Sequence, residues 1–258
     1  MALYVIINDV RNKIKVWGTF MKCTLLRRGR SLGYPPRPIS FRILNLLVGY
    51  IPLKKKYCHN SILMRKCLRE VASPTDLPRD DEFSTADNMD IDAIMRHPEA
   101  LPAKIYRKRL AAGDCCYCLR HHGEIIGYNW LSRDTCCILR GFEKGIEFLP
   151  LVEGQAFSYD FYVYKNHRRM GVGTAMKRQL LWLLRSQGYN EVFSVVMPNN
   201  LVSLKVHFSL GFDAEYMVYG YRIGDWVWTY YDREGDRSRL NSWVARAKAY
   251  ISPGEGVA

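Results

Sequence analysis

The chain has 258 residues, 48% hydrophobic and 24% charged; this is ordinary globular composition and excludes wholesale disorder or a fibrous fold. No apolar run reaches the ~18 residues of a membrane helix; the best, Phe41 to Leu53, is short and carries Arg42, so a multi-pass transporter is excluded. The net charge of +13 is unevenly held: residues 1–70 have 15 Lys and Arg against Asp9 and Glu70, and the remaining residues balance to zero.

The basic N-terminal extension, residues 1–55, interleaves its cations with bulky apolar side chains, as in Val16-Trp17 and Phe41-Arg42-Ile43-Leu44. Such a mixture suits an anionic membrane surface better than a nucleic-acid arm. It also suits a solvated extension that binds nothing. Gly33 to Pro38 interrupts its helical pieces. The run Ala2 to Ile7 lacks a basic start and ends at Asp9, which argues against a signal peptide. The expected location is cytoplasmic, peripheral at the inner membrane face if the extension binds lipid.

Among eight cysteines, Cys115 and Cys118 form a CxxC and Cys136-Cys137 follow. Residues three apart on a strand point to opposite faces, so these thiols do not converge on zinc without a bulge. Buried reduced thiols fit better, and no metal is expected.

In chain order, Ser61 to Val71 reads as a strand and Ala72 to Asp90, rich in Asp, Pro, Ser and Thr, as a loop. Ile91 to Met95 and Pro102 to Ala112 read as helices, and 114–132 as a hairpin around His121-His122-Gly123. Gly154 to Tyr164 is aromatic and β-branched, the mark of a strand. The period then changes. Val172, Met176, Leu180, Leu181 and Leu184 have helical spacing over Gly171 to Gln187, closed by Gly188. Glu191 to Met197 is a strand, Leu201 to Leu210 a helix closed by Gly211, and Tyr216 to Ile223 with Trp226 to Tyr231 a hairpin. The Arg-rich segment Arg237 to Ile251 is helical in outline. This order predicts an α/β (α+β) fold, a mixed, mostly antiparallel central sheet flanked by helices. The predicted divisions are the extension 1–55, a domain over 56–232 and a C-terminal helix and tail over 233–258.

The segment Tyr162 to Thr174, YVYKNHRRMGVGT, ends a strand, adds basic residues and opens a helix on Gly-x-Gly. A helix N-terminus carries unpartnered N–H groups and about half a positive charge, Gly171 and Gly173 let backbone approach a ligand, and Arg168 and Arg169 suit phosphate. It is neither a dinucleotide fingerprint nor a P-loop, since the third glycine and the Gly-Lys-Ser/Thr are missing. After the next strand come Asn200, Ser203, His207, Gly211 and Phe212. Together with Arg168-x-x-Gly171-x-Gly173 this resembles the GNAT superfamily of CoA-dependent N-acyltransferases, clearly over residues 113–232 and plausibly from residue 58.

The resemblance implies an N-acetyltransferase with acetyl-CoA as the default donor. Arg168, Arg169, Met170, Gly171, Val172, Gly173 and Thr174 would hold the pyrophosphate; Phe161, Tyr162 and Val163 would pair with the pantetheine arm; Asn200 and Ser203 would line its other wall. Where the family often has Tyr, this chain has His207, which would protonate the leaving thiolate or merely pack. Asp160, the one acid in its strand, would take the amine's proton or make a structural hydrogen bond. By alternation it shares a face with Tyr162 and Tyr164. Trp130, Trp226 and Trp228 would wall an acceptor pocket or serve packing. The acceptor is a small-molecule or lipid-linked amine, and nucleic acid is not an expected partner. Two other readings stay open: an aminoacyl-tRNA-dependent transferase on the same fold, and a CoA-binding module without catalysis that acts through its basic arm.

Overall fold

The computed structural model describes residues 56–251, apart from 75–76, 79, 139–145, 224–225 and 232–236. The extension 1–55, Cys23 and the final seven residues lie outside it, as do the side chains of Cys58, Cys137, Trp226 and Trp228.

The described residues form ten strands and five helices, all but β2, β5 and β6 in the predicted order: β1 (Lys56–Cys67), β2 (Asp81–Thr85), α1 (Asn88–Arg96), α2 (Ala103–Ala111), β3 (Cys115–His121), β4 (Glu124–Ser132), β5 (Thr135–Ile138), β6 (Ile146–Pro150), β7 (Gln155–Val163), α3 (Val172–Ser186), β8 (Glu191–Val196), α4 (Leu201–Ser209), β9 (Asp213–Ile223), β10 (Trp226–Tyr231) and α5 (Arg237–Ile251). Eight strands form one sheet in the order β10-β9-β1-β8-β7-β4-β3-β2, and β5 pairs with β6 alone. Every pairing in the large sheet is antiparallel except β7 with β8.

Several boundaries differ from the sequence reading. β1 starts five residues earlier, because its N-terminal half pairs with β9 from Lys56↔Ile223 onward. β2 falls inside the predicted loop: its composition is polar, but β3 offers it a full ladder, Asp81↔His121 to Thr85↔Tyr117. Charged residues are ordinary on an edge strand. α1 begins earlier too, on a capping box in which Asp87 and Asp90 exchange side chain-to-backbone hydrogen bonds of 2.8 Å.

The core lies on both sheet faces. On one, Ile91 and Ile94 of α1 and Tyr106 of α2 pack with Tyr128, Trp130, Phe157 and Tyr159 of the sheet. On the other, Met176 of α3 packs with Leu119 and Ile126. At the C-terminal end, Leu240, Trp243 and Ala247 of α5 are buried; that helix packs on α4 and β9. Among the described residues no helix is long and apolar enough to cross a membrane.

Candidate functional site

The site begins where two strands part. β7 and β8 pair over only four positions, Gln155↔Glu191 to Ser158↔Ser194. Beyond Ser158, β7 keeps β4 as its partner through Val163↔Gly127, and β8 keeps β1 through Val196↔Ile62. The backbone groups of residues 159–163 that turn away from β4 therefore lack a neighbouring strand. An extended ligand with amide groups can take that place, since unpaired strand edges accept added strands. Phe161, Tyr162 and Val163, the residues expected beside a pantetheine arm, lie on this stretch.

The alternation across β7 is not regular. Tyr128 pairs with Tyr162 but Trp130 pairs with Tyr159, so Asn129 alone faces Asp160 and Phe161. This is a bulge, and Asp160 has φ 44°, an uncommon conformation for a non-glycine residue. Tyr159 and Tyr162 consequently belong to the same aromatic cluster, whereas Phe161 and Val163 pack with α3. Asp160 shares a face with Tyr162 and Tyr164, as alternation predicts; the bulge adds Tyr159 to that face.

After β7, a short turn leads into α3. Arg168 donates from Nε to the Val163 carbonyl at 2.8 Å and lies over the Tyr162 ring at 5.0 Å. Arg169 and the N-cap Gly171 both have left-handed backbone, φ 67° and 77°. Among the described residues no side chain caps the helix, and Arg168, Arg169, Met170 and Gly171 are exposed. The first-turn N–H groups of Val172, Gly173 and Thr174 have no acceptor within the helix and directly follow two exposed arginines, an arrangement suited to pyrophosphate. Gly173 brings the helix against the strand: a Cβ there would meet Phe161 Cζ at 3.3 Å and Val163 Cγ2 at 3.7 Å.

Across the fork stands α4. Asn200 caps it, its Oδ1 accepting from the Ser203 N–H at 3.1 Å. That oxygen is therefore committed to the helix, and the Asn200 amide is the part left to meet a ligand. His207 is buried, with 1% exposure, and its Nδ1 donates to the Ser203 carbonyl at 2.7 Å. Phe212 meets the ring edge-on. Burial, with help from the Lys177 charge, pushes the imidazole down to about 3. The ring is neutral at pH 7 and its one proton is given to its own helix. The expected acid role conflicts with this geometry, and the packing role agrees with it. Its Nε2 is buried without a hydrogen-bond partner among the described residues.

Asp160 likewise has a structural partner. Its Oδ2 accepts from Nη1 of Arg109 at 2.5 Å, and Arg109 is only 3% exposed. The guanidinium lies against the rings of Tyr106, Trp130 and Tyr159 at 5.0 to 5.4 Å. Trp130, one of the suggested pocket walls, is fully buried. At the rim of the same face the Tyr162 hydroxyl donates to Glu99 at 2.5 Å, which holds that carboxyl below its usual range.

The most unusual buried group was not anticipated. Lys177 of α3 is fully buried and donates from Nζ to Ser158 Oγ and, at 3.3 Å, to Asn129 Oδ1. Ser158 Oγ donates to the same Asn129 oxygen at 2.9 Å. The faces of Phe161 and Phe212 lie 5.2 and 5.9 Å from Nζ. Desolvation pushes the ammonium down to about 7. The available signal was positional: residue 177 sits one turn before Leu180 and Leu181 and two before Leu184 on the apolar stripe. Arg109 carried the same signal, three and four residues after Tyr106 and Ile105. No group of three or more His, Cys, Asp or Glu gathers among the described residues.

Comparisons with known proteins bear on the family and the fold. The family model described as "Acetyltransferase (GNAT) family" matches residues 82–212. A phosphinothricin N-acetyltransferase of Streptomyces viridochromogenes is 33% identical over 106 residues, 38% of this chain and 56% of that protein. The chain thus spans about half the length of that curated relative. A GCN5-related glucosamine N-acetyltransferase region of a fungal multi-domain GH3 β-N-acetylglucosaminidase has a TM-score of 0.50 at 13% identity, covering 80% of this chain and 24% of that one. The ribosomal-protein-S18-alanine N-acetyltransferase of Escherichia coli has a TM-score of 0.40 at 17% identity, covering 52% of this chain and 77% of that one. The glucosamine N-acetyltransferase region shares the fold.

Proposed function

Since the chain belongs to the acetyltransferase (GNAT) family, we propose that it is an acyl-CoA-dependent N-acyltransferase, with acetyl-CoA as donor and a primary amine as acceptor. The observation that carries this reading is the meeting of two features. The β7–β8 ladder stops at Ser158↔Ser194, and an uncapped helix start with left-handed Arg169 and Gly171 lies just beyond the end of β7. A pantetheine arm fits the first and a pyrophosphate the second. The same uncapped loop favours a CoA donor over aminoacyl-tRNA, whose transfer needs no pyrophosphate grip.

Acetyl-CoA supplies an activated acyl thioester, which a neutral amine attacks directly in a ternary complex. The protein's own contribution is positioning and polarisation. Phe161 to Val163 align the donor through backbone groups, the first turn of α3 holds its phosphates, and unpaired N–H groups of β7 polarise the carbonyl. Neither His207 nor Asp160 is given a direct proton transfer here; solvent protonates the thiolate. Phosphinothricin, the substrate named for the Streptomyces relative, is the first acceptor to assay, followed by small and lipid-linked amines. We also propose that residues 1–55 meet an anionic membrane surface, which places the work site beside the lipid.

Calorimetric titration with acetyl-CoA, free CoA and a long-chain acyl-CoA tests the donor site. Micromolar binding that disappears in Gly173→Pro supports the reading, because proline removes a first-turn N–H and presses on Phe161. Absence of binding to any of the three overturns it.

A further inference from the structure

We propose that Arg109 is a positioning residue for acyl transfer, acting through Asp160 to fix the bulge of β7 at the fork; this rests on the acyltransferase reading. Four observations combine. Asp160 holds left-handed backbone, φ 44°. It occupies the bulge, where Asn129 faces two residues of β7. The bulge begins two residues after the last β7–β8 pair, Ser158↔Ser194, so it shapes the stretch of strand left open for a ligand. Finally, the Asp160 carboxylate is held at 2.5 Å by a guanidinium that is itself buried and fixed between the rings of Tyr106, Trp130 and Tyr159.

The bulge decides two alignments. It turns Phe161 toward α3, where Gly173 lies against its ring, so the phosphate-binding turn is seated on the strand. It also sets the direction of the peptide groups that follow Ser158. An aspartate does not adopt positive φ by preference; the side-chain pair supplies what the backbone lacks. Arg109 Nε and Nη2 have no hydrogen-bond partner among the described residues. The ring faces hold the rest of the guanidinium, and its hydrogen bonding goes to Asp160. On the opposite sheet face Asn129 receives Ser158 and Lys177, so the bulge is held from both sides.

The test separates backbone geometry from charge. Glycine adopts positive φ freely and alanine does not, whereas both remove the carboxylate. Turnover of acetyl-CoA with phosphinothricin, calorimetric affinity for CoA and amide hydrogen exchange of residues 159–163 are measured on full-length Arg109→Met, Asp160→Gly, Asp160→Ala and the two double variants. Arg109→Met is expected to lower kcat about tenfold to a hundredfold, the scale of an ångström-sized misplacement, with CoA affinity changed less. Asp160→Gly is expected to restore turnover in the Arg109→Met background and Asp160→Ala is not, with exchange of β7 faster in the alanine variants than in the glycine ones. Equal behaviour of glycine and alanine overturns the proposal, as does unchanged kcat in Arg109→Met. If Arg109→Met does not fold, the two single Asp160 variants decide between the same outcomes. If wild type binds no CoA and shows no turnover, the acyltransferase reading and the catalytic part of this proposal fall together, while exchange still reports whether the pair holds the bulge.

Discussion

Replacing Lys177 with methionine should stabilise the protein, and more at neutral than at alkaline pH. The ammonium is fully buried, and among the described residues its hydrogen bonds and ring contacts are to Ser158 Oγ, Asn129 Oδ1 and two phenylalanine faces, with no carboxylate. Its folded value is about 7 against an ordinary 10.5, a difference on the order of 5 kcal/mol in the cost of holding the charge inside. Between these values the unfolded chain binds one proton more than the folded one. Wild-type stability therefore rises with pH, at up to about 1.4 kcal/mol per unit, from pH 7 toward 10.5. Methionine fills similar volume, and Ser158 keeps Asn129 as its partner, so no orphaned polar group results. Exchanging buried charges for apolar groups stabilises by about 1–4 kcal/mol in comparable cases. The expected gain is about 2–4 kcal/mol at pH 7, shrinking by ~2 kcal/mol at pH 8.5. Above that, Cys118, pushed up to about 12 by burial, and Cys116, pushed up likewise, add an opposite slope as unfolded thiols ionise. The difference between variant and wild type cancels it. Urea titrations at pH 7.0, 7.75 and 8.5 measure the gap. A gap that stays constant with pH, or a methionine variant less stable at pH 7, would refute the reasoning.

His207 gives a slope of the same sign at lower pH. Its value falls from 6.5 unfolded to about 3 folded, so stability should drop as pH falls, by about 1.4 kcal/mol per unit between 6.5 and 5. Urea midpoints should show that slope in wild type and lose it in His207→Gln. Gly127→Ala places a Cβ 2.9 Å from the Tyr162 carbonyl, with Met176 Sδ at 3.3 Å; overpacking of a strand against backbone should cost about 1–3 kcal/mol in thermal unfolding. At Gly171, φ 77° makes alanine costly by roughly 1–2 kcal/mol, and CoA affinity should weaken about tenfold as the first turn tilts; unchanged calorimetric affinity would contradict the phosphate-loop assignment. Deleting residues 1–55 should abolish flotation with phosphatidylserine vesicles, and flotation of the truncated protein would discard the membrane proposal.

What the sequence disclosed followed from periodicity. Val172, Met176, Leu180 and Leu184 outlined α3 to within a residue, and the β-branched and aromatic run of β10 marked that strand at both ends. Strands β5 and β6 went unseen: they are short, and each is completed by the other, so their pattern is not local. β2 was hidden for a similar reason, since Asp-Glu-Phe-Ser-Thr becomes a strand only because β3 accepts it. At the site, the glycines and basic residues of the proposed phosphate loop could be read from the chain alone because the chemistry asked of them lies in the backbone and in adjacent positions. The partners of Asp160 and Lys177 were not. Arg109 is 51 residues from Asp160, and Asn129 is 48 from Lys177; no local pattern reports pairings created by the sheet. A bulge also leaves no trace in a period-two reading when the extra residue, as here, is an ordinary aspartate.

The eight-stranded sheet is two plates of four, β10-β9-β1-β8 and β7-β4-β3-β2, joined along one seam. That seam is the shortest ladder in the sheet, four residue pairs. It is also the one parallel ladder there, the weaker kind per residue. Under load, or in slow thermal opening, the sheet should tear along this line before any other, with amides of residues 155–158 and 191–194 exchanging ahead of those inside either plate. A molecule lying in the fork would lengthen the seam and act as its suture. Donor binding and mechanical integrity are then one quantity, and saturating ligand should raise the unfolding temperature by slowing the separation of the plates rather than by tightening either one.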